Sequence, residues 1–369
     1  MPSEIGQAAA PSSPRWRAML LNRRLWLGLF FSIGCLALAM ADIDFGEMAA
    51  ALRSANLAWL AAAALTVLLT NSAKSWRWRL LLYVSPAPAA AGDVPTARIG
   101  LGRLTNIWTA GAGVNLALPV PRSGDLVRVY FASIAGGISK SLVLGTIAAE
   151  KLLDIVLLAV CFLGLVLFVA IPQELAQRQI TTVAVALTLT LLVAALLWQR
   201  ERLLALAGRL LGRIPRGAQA AASMARALQG LDALRRPGRL LALSALTVVI
   251  GFLSVSTAYL VFLALNMPPS WVQGLLLWVV LQAGAAVPST PGKIGVFQVL
   301  CRWTLSLFGV SATLGLAYGI LLYLVAPLLL MVLGALALAV EGWRIGRLPA
   351  ELDLTLATPG QDPAARRGT

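Results

Sequence analysis

Long apolar stretches alternate with short polar ones along almost the whole chain. Leu25–Ala41, Leu57–Ala73, Ser141–Ile171, Thr181–Trp198, Leu240–Leu265 and Ala312–Val340 are apolar runs. Each is about as long as an α-helix needs to be to cross ~30 Å of hydrocarbon, so the pattern predicts six full crossings. Two further regions are apolar but interrupted. Leu101–Leu118 carries Arg103, Asn106 and Asn115, and its continuation is broken by Pro119, Pro121 and Gly124. Trp271–Ala286 is short and runs into VPSTPGKIGVFQ (Val287–Gln298), followed by the short apolar piece Val299–Val310. Proline and glycine interrupt helices, and such backbone at membrane depth is tolerated only where protein or a water-filled cavity satisfies it. These regions predict two broken, re-entrant helical pairs, one entered from each face. The expected fold is an all-α polytopic membrane protein with about six full transmembrane helices and two such pairs, or eight or more crossings if the broken halves span.

Charge orients this pattern. Residues 1–24 contain Arg15, Arg17, Arg23 and Arg24, and the linker 199–239 carries nine arginines against Glu201 and Asp232. Positive segments stay on the cytoplasmic side, so both termini and the linker are expected there, and part of the linker is expected to lie on anionic lipid as an amphipathic helix. The loop Asp42–Asn56, with Asp42, Asp44 and Glu47, is placed outside. The run KSWRWR at 74–79 reads as a headgroup-layer anchor, because tryptophans beside cations favour that layer. Residues 25–341 then form one membrane domain, followed by a tail at 342–369.

Composition narrows the function. Of 369 residues, 59% are hydrophobic and 12% charged, against ~25% charged in soluble domains. The net charge of +15 would suggest nucleic acid in a soluble protein, but here the arginines sit between apolar runs and face lipid instead. There is no histidine, which excludes a histidine base, a histidine-ligated metal and a Ser-His-Asp triad. Cys35, Cys161 and Cys301 lie in separate apolar segments without metal-site spacing and read as small hydrophobes. No metal and no cofactor is expected.

Candidate chemistry gathers in two places. Glu150, Lys151 and Asp154 sit inside the span 141–171. Glu150 and Asp154 share a face at i,i+4, and Lys151 can pair with Asp154 at i,i+3. Arg128 or Lys293 could neutralise the remaining carboxylate. Two readings stay open: a salt cluster that fixes helix register, or a polar conduit or titrating pair, since charges at membrane depth default to function. Arg122, Asp125 and Arg128 follow the first break, where cations and free N–H groups suit phosphate, and Asp125 can hold Arg128. The second break offers Pro288, Pro291, Gly292, Lys293, Gly295 and Gln298. Lys293 is a candidate lipid-phosphate partner, though G-x-x-x-x-G-K-[ST] spacing is absent, and Gln298 reads as a helix–helix hydrogen-bonding residue. LPVPRSGDLV (Leu118–Val127) and VPSTPGKIGV (Val287–Val296) echo each other, as paired interrupted segments do in inverted-repeat transporters.

The chain resembles the lysylphosphatidylglycerol synthase transmembrane region, a flippase-like membrane family. The resemblance rests on RWR at 77–79, on Asn115, Pro119, Gly124, Asp125 and Arg128, on EKLLD at 150–154, and on PSTPGKIGVF at 288–297. It departs where the family usually has Arg for Lys151, Glu for Asp125 and Glu near Gln298. The resemblance implies a protein of a prokaryotic cytoplasmic membrane that binds and translocates an anionic phospholipid or polyprenyl-linked sugar. The best-known relatives add a soluble aminoacyltransferase domain, for which 342–369 is too short. Two alternatives stand beside translocation: an accessory subunit presenting lipid to a partner glycosyltransferase or synthase, and a membrane enzyme acting on lipid phosphates.

Overall fold

A computed structural model describes residues 30, 34–40, 42–83, 98–118, 122–168, 217–284 and 291–356. Among these residues the secondary structure is helical, with no strand. The expected span Thr181–Trp198, Pro119, Pro121, Pro288 and most of the basic linker lie outside the described residues.

The helices are α1 (Phe45–Arg53), α2 (Leu57–Leu82), α3 (Leu101–Ala117), α4 (Ser123–Gly136), α5 (Lys140–Phe168) and α6 (Gly217–Gln229). They continue with α7 (Pro237–Ala264), α8 (Trp271–Gly284), α9 (Val296–Ser306), α10 (Ala312–Tyr323) and α11 (Leu329–Leu356). Helix α1 corrects the expectation of a loop at 42–56. Asp44 caps it by accepting from the Gly46 and Glu47 N–H groups at 2.8 and 3.0 Å, which satisfies donors a helix start leaves open. Asn56 does the same for α2 by accepting from Ala58 N–H at 2.9 Å.

Three stretches are long and apolar enough to cross a membrane: Leu57–Leu82, Pro237–Ala264 and Ala312–Gly342. The last joins α10 to α11 through one wide π-helical turn, Leu324–Leu328, that contains Pro327. Proline removes an N–H and its ring displaces the preceding carbonyl, and a π-turn accommodates that without ending the helix. Helix α5, at 29 residues, is as long as these spans but carries Glu150, Lys151 and Asp154 mid-length.

The two halves repeat one rhythm. A long helix (α2), two short ones (α3, α4) and a long one (α5) are followed by a long helix (α7), two short ones (α8, α9) and the long α10–α11. Packing follows the same pairing. α2 lies along α7, α3 lies on α11, and α8 lies on α5, so each half's first short helix meets the other half's last long helix.

Small residues permit the closest crossings. A Cβ on Gly113 would collide with Gly334 Cα, so α3 and α11 touch backbone to backbone. A Cβ on Gly124 would strike the Gly111 carbonyl, which brings α4 onto α3. Without a hydrophobic drive inside lipid, close contact between small residues is a main source of helix association. Between α7 and α8, Trp271 stacks on Tyr259 and Phe252 with ring centroids 4.4 and 5.5 Å apart.

Candidate functional site

A cavity of about 430 Å³ lies where the two short-helix pairs meet. Asn115, Asp125 and Arg128 reach it from α3 and α4, and Gly292, Lys293 and Phe297 from the turn before α9 and α9 itself. Lys74 from α2 and Glu150, Lys151 and Asp154 from α5 complete its polar wall. Of the residues singled out from the sequence, it therefore gathers Asn115, Asp125, Arg128, Glu150, Lys151, Asp154, Gly292 and Lys293. The volume falls in the ordinary range for small-ligand sites.

The wall is built on one ion network. Arg128 Nη2 donates to Glu150 Oε2 at 2.6 Å, and Arg128 Nη1 lies 3.8 Å from Asp125. Arg77 Nη1 lies 2.7 Å from Asp154 Oδ1 and donates to Thr247 Oγ1 at 2.9 Å, while its Nη2 is 3.6 Å from Glu150. Trp108 Nε1 donates to Glu150 Oε1 at 3.3 Å. The Arg128 guanidinium stacks over Trp78 at 4.3 Å, a cation–π contact that supports a charge already removed from water. Arg77, Glu150 and Arg128 are 0%, 1% and 3% exposed, whereas the Asp154 side chain keeps 30% of its surface. Glu150 is thus clamped between two arginines, and Asp154 faces the cavity.

Several expectations change here. Arg77 and Trp78 are not headgroup anchors: α2 continues unbroken to Leu82 and both are fully buried, while Trp76 is 54% exposed. Arg77, not Lys151, takes Asp154, because it projects from α2 straight onto the acid face of α5. Arg128, not Lys293, neutralises Glu150. Lys151 is left exposed to the cavity, and among the described residues neither it nor Lys74 has a carboxylate within 4.0 Å. Lys74 instead lies 5.3 Å over the Trp108 ring.

Other candidates turn out to shape the site. Gly124 is a contact point for α3, and its N–H donates to Asn115 Oδ1 at 2.8 Å. Asn115 Nδ2 is 3.5 Å from Asp125. Gln298 does not bridge helices. Its Oε1 accepts from Gly295 N–H at 2.7 Å and closes the start of α9. Arg122 precedes α4 in the left-handed conformation (φ 62°), is exposed, and does not line the cavity. Lys293 is also left-handed (φ 57°), between Gly292 (φ 76°) and Gly295 (φ 89°). The two interrupted turns thus share a left-handed basic residue just before the second short helix, a likeness that goes beyond the echo of their prolines. Tyr323 Oη donates to the Gly292 carbonyl at 2.8 Å and holds the second turn against α10. Pro291 opens that turn.

A second buried cluster was not foreseen. Glu341 of α11 is fully buried and accepts from Arg103 Nε at 3.2 Å, Asn106 Nδ2 at 3.0 Å and Arg344 Nη1 at 3.1 Å. Arg103 and Asn106, i and i+3 on α3, are the residues that made that helix look too polar to cross. Among the described residues no three metal-ligating side chains come together.

Helices of membrane-spanning length, glycine-mediated crossings and an internal cavity walled by ion pairs define an α-helical integral membrane protein with a polar site between its halves. Its family is equally plain: the chain belongs to the Lysylphosphatidylglycerol synthase TM region family, whose model matches residues 25–338. No curated protein and no solved structure gives a match.

Proposed function

We propose that the protein binds the headgroup of an anionic lipid in this cavity and carries it across the bilayer, with the tails remaining in hydrocarbon. One observation supports this most: two interrupted helical pairs from opposite halves of the chain converge on one cavity edged by Lys74, Lys151 and Lys293. In this reading the short pairs α3–α4 and α8–α9 are re-entrant, and the long helices are the crossings. The cavity belongs to both halves, so rocking one against the other would change the face to which it opens. Both termini lie in the cytoplasm of a prokaryotic cell, as the arginine-rich ends favour.

The test is lipid movement in reconstituted vesicles. A fluorescent phosphatidylglycerol should reach the outer leaflet faster with the protein than without it, and Lys151→Glu should slow that movement at least tenfold. Lys151 is exposed, so the variant should fold. Equal rates in protein-containing and protein-free vesicles, for anionic phospholipid and polyprenyl phosphate alike, would end this reading.

A further inference from the structure

The charge balance of the cavity specifies more than the sign of its ligand. The buried network holds two arginines and three carboxylates, which leaves it one negative charge. Three lysines stand in front of it, and Lys151 is near enough to Lys293 for their ammonium groups to repel. Among the described residues the site therefore carries an excess of two positive charges. Uncompensated charge in a poorly hydrated site is costly, so the site is best matched by a ligand that removes the whole excess.

We infer that the cavity selects a lipid headgroup with two or more negative charges, a phosphomonoester or diphosphate, over a singly charged phosphodiester. This rests on the lipid-binding reading above and narrows it. A phosphodiester leaves one lysine uncompensated. A phosphodiester that also bears aminoacyl ammonium groups adds to the excess and fits worst. The carboxylates do not oppose a dianion, because each is held by an arginine, at 2.6 and 2.7 Å in the tightest pairs. Clusters of lysines suit this task as mobile point charges, each able to turn toward a different phosphate oxygen.

The experiment uses the full chain in nanodiscs of zwitterionic lipid and reads tryptophan fluorescence, since Trp108 and Trp278 line the cavity. It is titrated with phosphatidylglycerol, phosphatidic acid, a short polyprenyl diphosphate and inorganic pyrophosphate. The expected result is at least tenfold tighter binding of phosphatidic acid and the diphosphate lipid than of phosphatidylglycerol. Lys151→Gln and Lys74→Gln should each reduce that preference severalfold, and Lys151→Arg should keep it. A size-exclusion profile checks that each variant is folded. Equal binding of the diester and the doubly charged lipids overturns the inference and leaves the lipid-carrier reading intact. Binding of none of the lipids overturns both. Inorganic pyrophosphate binding as tightly as the diphosphate lipid would mark a free anion as the ligand and overturn the lipid assignment.

Discussion

Arg128 and Glu150 should be energetically inseparable, and a double-mutant cycle measures how far. Their 2.6 Å ion pair lies between side chains that are 3% and 2% exposed. Removing one partner of a buried pair costs about 3–5 kcal/mol, because the other charge stays behind without compensation. Arg128→Met also loses the stack on Trp78, a contact of ~1–2 kcal/mol. Glu150 would keep Trp108 at 3.3 Å and Arg77 at 3.6 Å, which holds the total near the lower figure, about 3 kcal/mol. Glu150→Gln leaves Arg128 with Asp125 and Arg77 with Asp154, so it should cost less, about 2 kcal/mol. The double variant should be about 2 kcal/mol more stable than the sum of the singles. Thermal unfolding in detergent, at roughly 2–4 °C per kcal/mol, would show Arg128→Met melting on the order of 10 °C below the parent. Additive effects, within about 0.5 kcal/mol, would mean that the two residues share no interaction, and the account of the network would be wrong.

Three further outcomes follow from the geometry. Gly124→Ala and Gly113→Ala place a methyl inside a neighbouring backbone and should sharply lower the yield of monodisperse protein, whereas Gly164→Ala, which meets open space, should be neutral by size-exclusion chromatography. Lys293→Gly relieves a left-handed non-glycine residue and should raise the melting temperature, by about 1 kcal/mol of stability, while slowing lipid movement; a fall in both would contradict this. Glu341→Ala leaves Arg103, Asn106 and Arg344 without their common acceptor and should cost about 1–3 kcal/mol in the same melts, with Glu341→Gln costing less.

Element boundaries and the first half of the site were legible in the sequence because they depend on local signals. Apolar length marked α2, α5, α7 and α10–α11, and Pro119, Pro121, Gly124 and the VPSTPGKIG run marked both interruptions. The pairing of Asp125 with Arg128 followed from helical spacing, and it occurs at 3.8 Å. Arg77 was misread because KSWRWR has the composition of a headgroup anchor. Only the neighbouring α5, more than seventy residues away, turns it into the partner of Asp154. Gln298 was misread in the opposite direction, since its partner is three residues away and nothing in an apolar stretch announces a cap. Glu341 gave one clue, an acid at the end of an apolar run. Its partners Arg103 and Asn106 are visible only once α3 lies on α11.

The wide turn at Leu324–Leu328 sets the rotational phase of everything after it. A π-turn holds one residue more than an α-turn, so deleting a single residue there would restore an ordinary helix and swing α11 by about 100°. Gly334 would leave Gly113, and Glu341 would leave Arg103, in one step. Chain length through this turn is therefore as firmly constrained as any side chain in the protein, and homologues that gain or lose a residue at that point must re-space both contacts downstream.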